Sequence, residues 1–89
     1  MAMRVSLHKN FEKRFAKLDH KIKIAFLKRK DLLVADLFHP LLNNHKLGKE
    51  WSGCRSINIT GDYRAIYILI DENHIEFLTI GTHHELYGL

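Results

Sequence analysis

Residues 54–80, CRSINITGDYRAIYILIDENHIEFLTI, decide how this chain folds. From Cys54 to Ile59 the side chains alternate, so Arg55, Ile57 and Ile59 share one face of a strand and Cys54, Ser56 and Asn58 the other. Thr60-Gly61 makes a tight turn, and Tyr63–Ile70, rich in β-branched and aromatic residues, reads as a central strand. Asp71-Glu72-Asn73 turns the chain back into a third strand, Ile75–Ile80. Strands joined by such short turns predict an antiparallel meander.

Upstream, residues 39–50, HPLLNNHKLGKE, are a loop by composition, with Asn43-Asn44 and Gly48 as turn formers. Pro40 ends the helical part of the chain. Before it, Phe11, Phe15 and Leu18 recur at helical spacing while Lys13, Arg14 and Lys17 face away, predicting a first amphipathic helix. A second helix is predicted over 20–38, with Asp19 as its N-cap and an apolar stripe of Ile22, Ala25/Phe26, Leu32/Leu33 and Leu37. Met3 to Leu7 reads as a short strand. Downstream, Gly81–Leu89 reads as a short helical turn carrying His83 and Tyr87 four residues apart. Residues 1–89 contain no repeat and no linker, so one α+β domain is expected: a strand, two helices packed on one sheet face, and a three-strand meander.

Apolar residues make up 46% and charged residues 27%, as in an ordinary globular domain. No apolar run approaches the ~20 residues of a membrane span. The start, MAMRVSLHKNFEKRF, has no apolar signal core, so a cytoplasmic protein is expected. A lone cysteine, Cys54, excludes both an internal disulfide and a Cys-rich zinc site. Charge is unevenly spread. Residues 1–30 hold ten Lys and Arg (Arg4, Lys9, Lys13, Arg14, Lys17, Lys21, Lys23, Lys28, Arg29, Lys30) against Glu12 and Asp19, about +8, which leaves about −4 for the rest. Such a region attracts polyanions, RNA above all, although two solvated helices with lysines outside look the same in sequence.

Groups able to do chemistry gather in the second half: His45, Lys46, Lys49, Trp51, Arg55, Asn58, Asp62, Tyr63, Arg64, His83, His84 and Tyr87. Cutting RNA without a metal needs a base for the 2′-hydroxyl, an acid for the leaving 5′-oxygen, and cations for the phosphate. Histidine suits the first two tasks and arginine the third, while aromatic rings stack on bases. Each residue also has a plainer reading. His45 is a solvated loop histidine, Asp62 a turn residue, Tyr63 and Tyr67 sheet packing, Trp51 a core anchor, and His83 with Tyr87 a helix-face pair. No HExxH or Cys/His ligand spacing occurs, so no metal and no cofactor is expected.

The string His45-x-Leu47-x-x-x-Trp51-x-Gly53-x-Arg55, then Gly61-Asp62-Tyr63-Arg64-x-Ile66-Tyr67, then Ile80-Gly81-Thr82-His83-x-x-Leu86-Tyr87 resembles the YafQ branch of the RelE toxin superfamily. The resemblance covers about residues 39–88. It implies a compact microbial-ribonuclease-like α+β fold, a type II toxin that cleaves mRNA in the ribosomal A site, and a cognate antitoxin forming a hetero-oligomer with it. It implies His45, Asp62, His83 and Tyr87 as catalytic positions, with Tyr63 where relatives often carry tryptophan. Arg64 stands where other RelE branches place a phosphate-contacting arginine. Lys46, Lys49, Arg55, Asn58, Tyr63 and Arg64 are then expected on RNA. Asn58 departs from the pattern, because a second strand histidine stands there in YafQ-like toxins. An asparagine hydrogen-bonds but shuttles no proton near neutral pH. Two other readings share the scaffold: a non-enzymatic toxin similar to the ParE branch that poisons DNA gyrase, and a degenerate relative that only binds an antitoxin.

Overall fold

The computed structural model describes residues 3–88. Its elements, in chain order, are β1 (Arg4–Leu7), α1 (Lys9–Ala16), α2 (His20–Ala35), a 3-10 turn at Pro40–Leu42, β2 (His45–Lys46), and a second 3-10 turn at Lys49–Trp51. Then come β3 (Arg55–Asn58), β4 (Tyr63–Asp71), β5 (His74–Thr82) and α3 (His83–Tyr87). The five strands form one sheet in the order β1-β5-β4-β3-β2. β1 runs parallel to β5, and the other neighbours are antiparallel. The α+β class and the meander agree with the sequence reading. The tail helix is His83–Tyr87, and of the expected span Gly81–Leu89 only Leu89 lies outside the described residues.

Two local expectations need correction. α2 stops at Ala35 and not near residue 38. Asp36 explains this: its carboxylate accepts the Phe38 N–H at 3.3 Å, offering the backbone a turn in place of another helical bond. His39 ahead of Pro40 is extended, as a residue before proline must be. At the other end Asp19 holds the N-cap position, but its side chain makes no capping bond. The second correction is β2. His45 and Lys46 lie inside the segment read as loop, yet they pair with Ser56 and Arg55. A two-residue polar edge strand has no alternation of its own, so only the partner strand defines it.

The sheet has an apolar core on each face. Phe11 of α1 and Phe26 and Leu33 of α2 pack with Ile57, Ile59, Ala65, Tyr67, Ile75, Phe77 and Ile80 on one face. Phe11, Phe26 and Phe77 meet there with ring centroids 4.9 to 5.7 Å apart. The smaller core holds Cys54, Ile66 and Leu86, flanked by Leu47, Trp51, Ile68, Leu78 and Tyr87. α1 and α2 therefore share a face, as expected, and α3 covers the other. A bulge makes both cores possible: Ile66 pairs with Thr79 and Tyr67 with Phe77, leaving Leu78 extra. That residue shifts the parity of β5, so Phe77 and Ile80 both face the larger core.

β1 ends at Leu7, after which the outer edge of β5 has no strand neighbour. α1 covers it, and Arg14 Nε donates to the Ile80 carbonyl at 2.8 Å. α2 is apolar on its outer side as well, where Ile24, Leu27 and Val34 are exposed. No helix among the described residues is long and apolar enough to cross a membrane.

Candidate active site

Strand alternation sends Ser56 and Asn58 of β3 and Arg64 of β4 to the face away from α1 and α2. Asn58 and Arg64 are direct cross-strand partners. Arg64 is 9% exposed, and a guanidinium held that deep needs acceptors. Its Nε donates to Ser56 Oγ at 2.6 Å and its Nη1 to Asn58 Oδ1. Its Nη2 lies 3.4 Å from the Asn43 carbonyl. Since arginine carries five N–H donors, two remain for a phosphate.

Two further groups close around this arginine. Ser56, fully buried, also accepts the Tyr87 hydroxyl at 3.1 Å. The Tyr87 ring takes the His83 imidazole edge-on, with centroids 4.6 Å apart. On the other side His45 Nδ1 is 2.9 Å from the Asn43 carbonyl and 3.3 Å from Arg64 Nη2. His45 and His83 are both exposed; His45 meets the buried guanidinium directly, and His83 is linked to it through Tyr87 and Ser56. The Asp62 carbonyl accepts the His83 N–H at 3.2 Å, which ties the β3–β4 turn to the start of α3 and leaves the Asp62 side chain exposed at the rim.

α3 is held in place by its own first turn. Thr82 Oγ1 accepts the Glu85 N–H at 3.2 Å, and Glu85 Oε1 accepts the Thr82 N–H at 2.8 Å, a reciprocal cap. The Thr82 N–H bond holds the Glu85 carboxyl below its usual range, opposed by burial and helped by the Thr82 hydroxyl, Arg14 and His84. Gly81 leaves room for the Arg14 and Glu85 side-chain ends that meet over it. A Cβ there would lie 2.7 Å from Arg14 Nη2 and 3.1 Å from Glu85 Oε1. Beside α3 runs a groove of about 540 Å³ lined by His8, Lys13, Arg14, Trp51, Leu78 and Glu85, among others.

Of the residues singled out in the sequence, His45, Asn58, Arg64, His83 and Tyr87 come together, with Asp62 at the edge. Arg55, Lys46 and Tyr63 do not join them. Tyr63 packs against the larger core. Arg55 donates to Asn44 Oδ1 at 2.8 Å and lies 5.4 Å over the Phe38 ring, and Lys46 pairs with it in register on that same face. Their strand parity is opposite to that of Ser56 and Arg64, which is the physical reason. Lys49 is exposed in the second 3-10 turn with a positive φ of 54°. Trp51 sits in the smaller core, its indole N–H 3.4 Å from the Leu86 carbonyl, and Tyr67 is buried, both as the plainer readings had it. Burial pushes the Cys54 thiol up, away from nucleophilic use.

Sequence reasoning missed Ser56 and Asn43. Ser56 had one signal, its shared strand face with Asn58; a main-chain carbonyl has none. Among the described residues no three His, Cys, Asp or Glu side chains come together as a metal-holding group. What remains is an anchored guanidinium with one imidazole against it and a second joined to it through Tyr87 and Ser56, groups of the kind that move protons beside a bound phosphate.

A family model described as the ParE toxin of type II toxin–antitoxin systems (parDE) matches residues 5–87. Among curated proteins none matches the sequence. Among solved structures, YafQ from E. coli strain BL21(DE3) is similar at a TM-score of 0.80 and 23% identity, over 97% of this chain and 99% of that one. YafQ in the E. coli DinJ–YafQ toxin–antitoxin complex gives 0.78 and 22%, over 99% and 100%. The archaeal RelE–RelB complex from Pyrococcus horikoshii OT3 gives 0.73 and 25%, over 92% and 96%.

Proposed function

We propose that this chain, which belongs to the ParE toxin family of type II toxin–antitoxin systems and has a RelE/YafQ-like fold, is a metal-independent endoribonuclease that cleaves mRNA on the ribosome. The observation that carries the reading is the buried Arg64 joined in one cluster to two exposed imidazoles, His45 directly and His83 through Tyr87 and Ser56. Arg64 grips the scissile phosphate with its two remaining N–H groups. One imidazole takes the proton of the 2′-hydroxyl, whose oxygen bonds to phosphorus. The P–O5′ bond breaks, and the leaving oxygen takes a proton from the other imidazole. Tyr87 holds His83 by its ring and Ser56 by its hydroxyl. The basic α1 and the groove against Trp51 draw in the polyanion and seat the strand beyond the cut.

A small antitoxin silences the site. Its acidic, initially disordered segment covers the catalytic face and the basic α1 that borders it. Purified protein added to translating ribosomes tests the function by primer extension. Discrete cuts in the occupied A-site codon support it.

A second reading has one observation in its favour, the ParE family model itself. On that reading the chain is a non-enzymatic toxin, and the cluster only rigidifies the sheet. Growth arrest with intact mRNA, undiminished in an Arg64→Ala, His83→Gln double variant that still folds, would establish it.

A further inference from the structure

We propose that the main-chain carbonyl of Asn43 is a positioning group: it fixes His45 as the Nδ1–H tautomer, so that Nε2 presents the lone pair that takes the 2′-hydroxyl proton. The second half rests on the ribonuclease reading above; the tautomer itself does not.

Asn43 sits in the left-handed region, at φ 45° and ψ 49°, where its N–H closes the Pro40–Leu42 turn on the Pro40 carbonyl at 3.2 Å. Few side chains tolerate that backbone, and asparagine is among those that do. The next residue locks the turn. Asn44 Nδ2 donates to the Leu37 carbonyl at 2.8 Å and to the Tyr67 hydroxyl at 2.7 Å, while Oδ1 accepts from Arg55. β2 pairing then holds the His45 main chain opposite Ser56. With the chain fixed on both sides, the Asn43 carbonyl lies 2.9 Å from His45 Nδ1.

A carbonyl only accepts hydrogen bonds, so at that distance Nδ1 carries the hydrogen. The nearby guanidinium does not reverse this. Arg64 Nη2 is 3.3 Å from Nδ1, a longer separation, and 3.4 Å from the same Asn43 oxygen. Both N–H groups converge on one acceptor. The opposite tautomer would set the Nδ1 lone pair against the carbonyl oxygen. The exposed ring therefore offers Nε2 to the substrate, and His45 is the base. It receives the 2′-hydroxyl proton as the O2′–P bond forms and the P–O5′ pair departs, and the leaving 5′-oxygen is protonated by His83.

The test combines nitrogen-15 NMR of the His45 ring in the free protein with single-turnover cleavage on saturating ribosomes. Wild type is expected to show a protonated Nδ1 and an unprotonated Nε2 once the imidazole is neutral. Asn43→Gly keeps the left-handed turn and should retain that signature and most of the rate. Asn43→Val resists positive φ, and should show mixed tautomers and a rate lower by about 10- to 100-fold, with ribosome affinity unchanged. An Nε2–H tautomer in wild type overturns the proposal whatever the variants do, even if Asn43→Val fails to fold. A folded Asn43→Val with wild-type tautomer and rate overturns it too. A wild-type Nδ1–H signature with RNA left uncut by every variant upholds the tautomer and rejects the ribonuclease reading.

Discussion

Arg64 is bonded on three sides inside the protein, and that determines how its loss should look. Lysine keeps the charge but not the fork, so Arg64→Lys should slow cleavage on bound ribosomes on the order of 10²-fold. Lys17→Ala, an exposed cation on the basic side, should leave that rate alone and lower the salt slope of binding by about 1. Equal, small effects from both would remove Arg64 from the site. His83 and His84 divide in the same way. His83 meets the Tyr87 ring edge-on within the cluster, so His83→Gln should cost roughly 10² to 10⁴ in rate, and His84→Gln almost nothing. Single-turnover rates with melting temperatures alongside decide it. Residue types made most of this cluster legible: histidines, an arginine and a tyrosine in motif order stand out. Ser56 and the Asn43 carbonyl did not, because a strand serine and a peptide oxygen acquire meaning only from what folds against them.

The first turn of α3 is capped by a reciprocal exchange between Thr82 and Glu85. Thr82→Ala should cost about 1 kcal/mol of stability and loosen His83, lowering the cleavage rate as well. The acid dependence has a definite sign. Glu85 titrates lower in the folded chain than in the unfolded one, chiefly through the Thr82 N–H. Its contribution is therefore complete above the unfolded carboxylate pKa and is lost as pH falls through the lower, folded value. Melting temperature followed downward through the carboxylate range should fall less steeply in Glu85→Gln than in wild type, and parallel curves would discard this account of the cap. At this scale the sequence was uneven. The meander and α3 announced themselves by alternation and spacing. The end of α2 depended on the Asp36 turn, and β2 on a partner strand, neither of which periodicity can register.

Across the whole molecule the charge is divided, about +8 in residues 1–30 and about −4 in the remainder. On the ribonuclease reading the basic half steers RNA, and the mixed half holds the cluster that would act on it. Arg14 belongs partly to the fold, donating to Ile80 and lying 3.5 Å from Glu85, so the steering charge is somewhat smaller than the count. Expression of the chain alone should arrest growth, and co-expression of the neighbouring reading frame should restore it; unimpaired growth with abundant folded protein would count against a toxin. The sequence reading put both helices on one sheet face; the second core, and the Leu78 bulge that reconciles the two, were not legible, because Tyr63–Ile70 is nearly all apolar and does not tell its faces apart. On the ribonuclease reading, protein acids and bases alone move the protons. Its most direct test is the 3′ end of the upstream RNA fragment, cut on ribosomes in a chelator that leaves them intact. A 2′,3′-cyclic phosphate or the 3′-phosphate derived from it is expected, since the nucleophile on this mechanism is the RNA's own 2′-hydroxyl. A 3′-hydroxyl end, formed only when metal is restored, would contradict it.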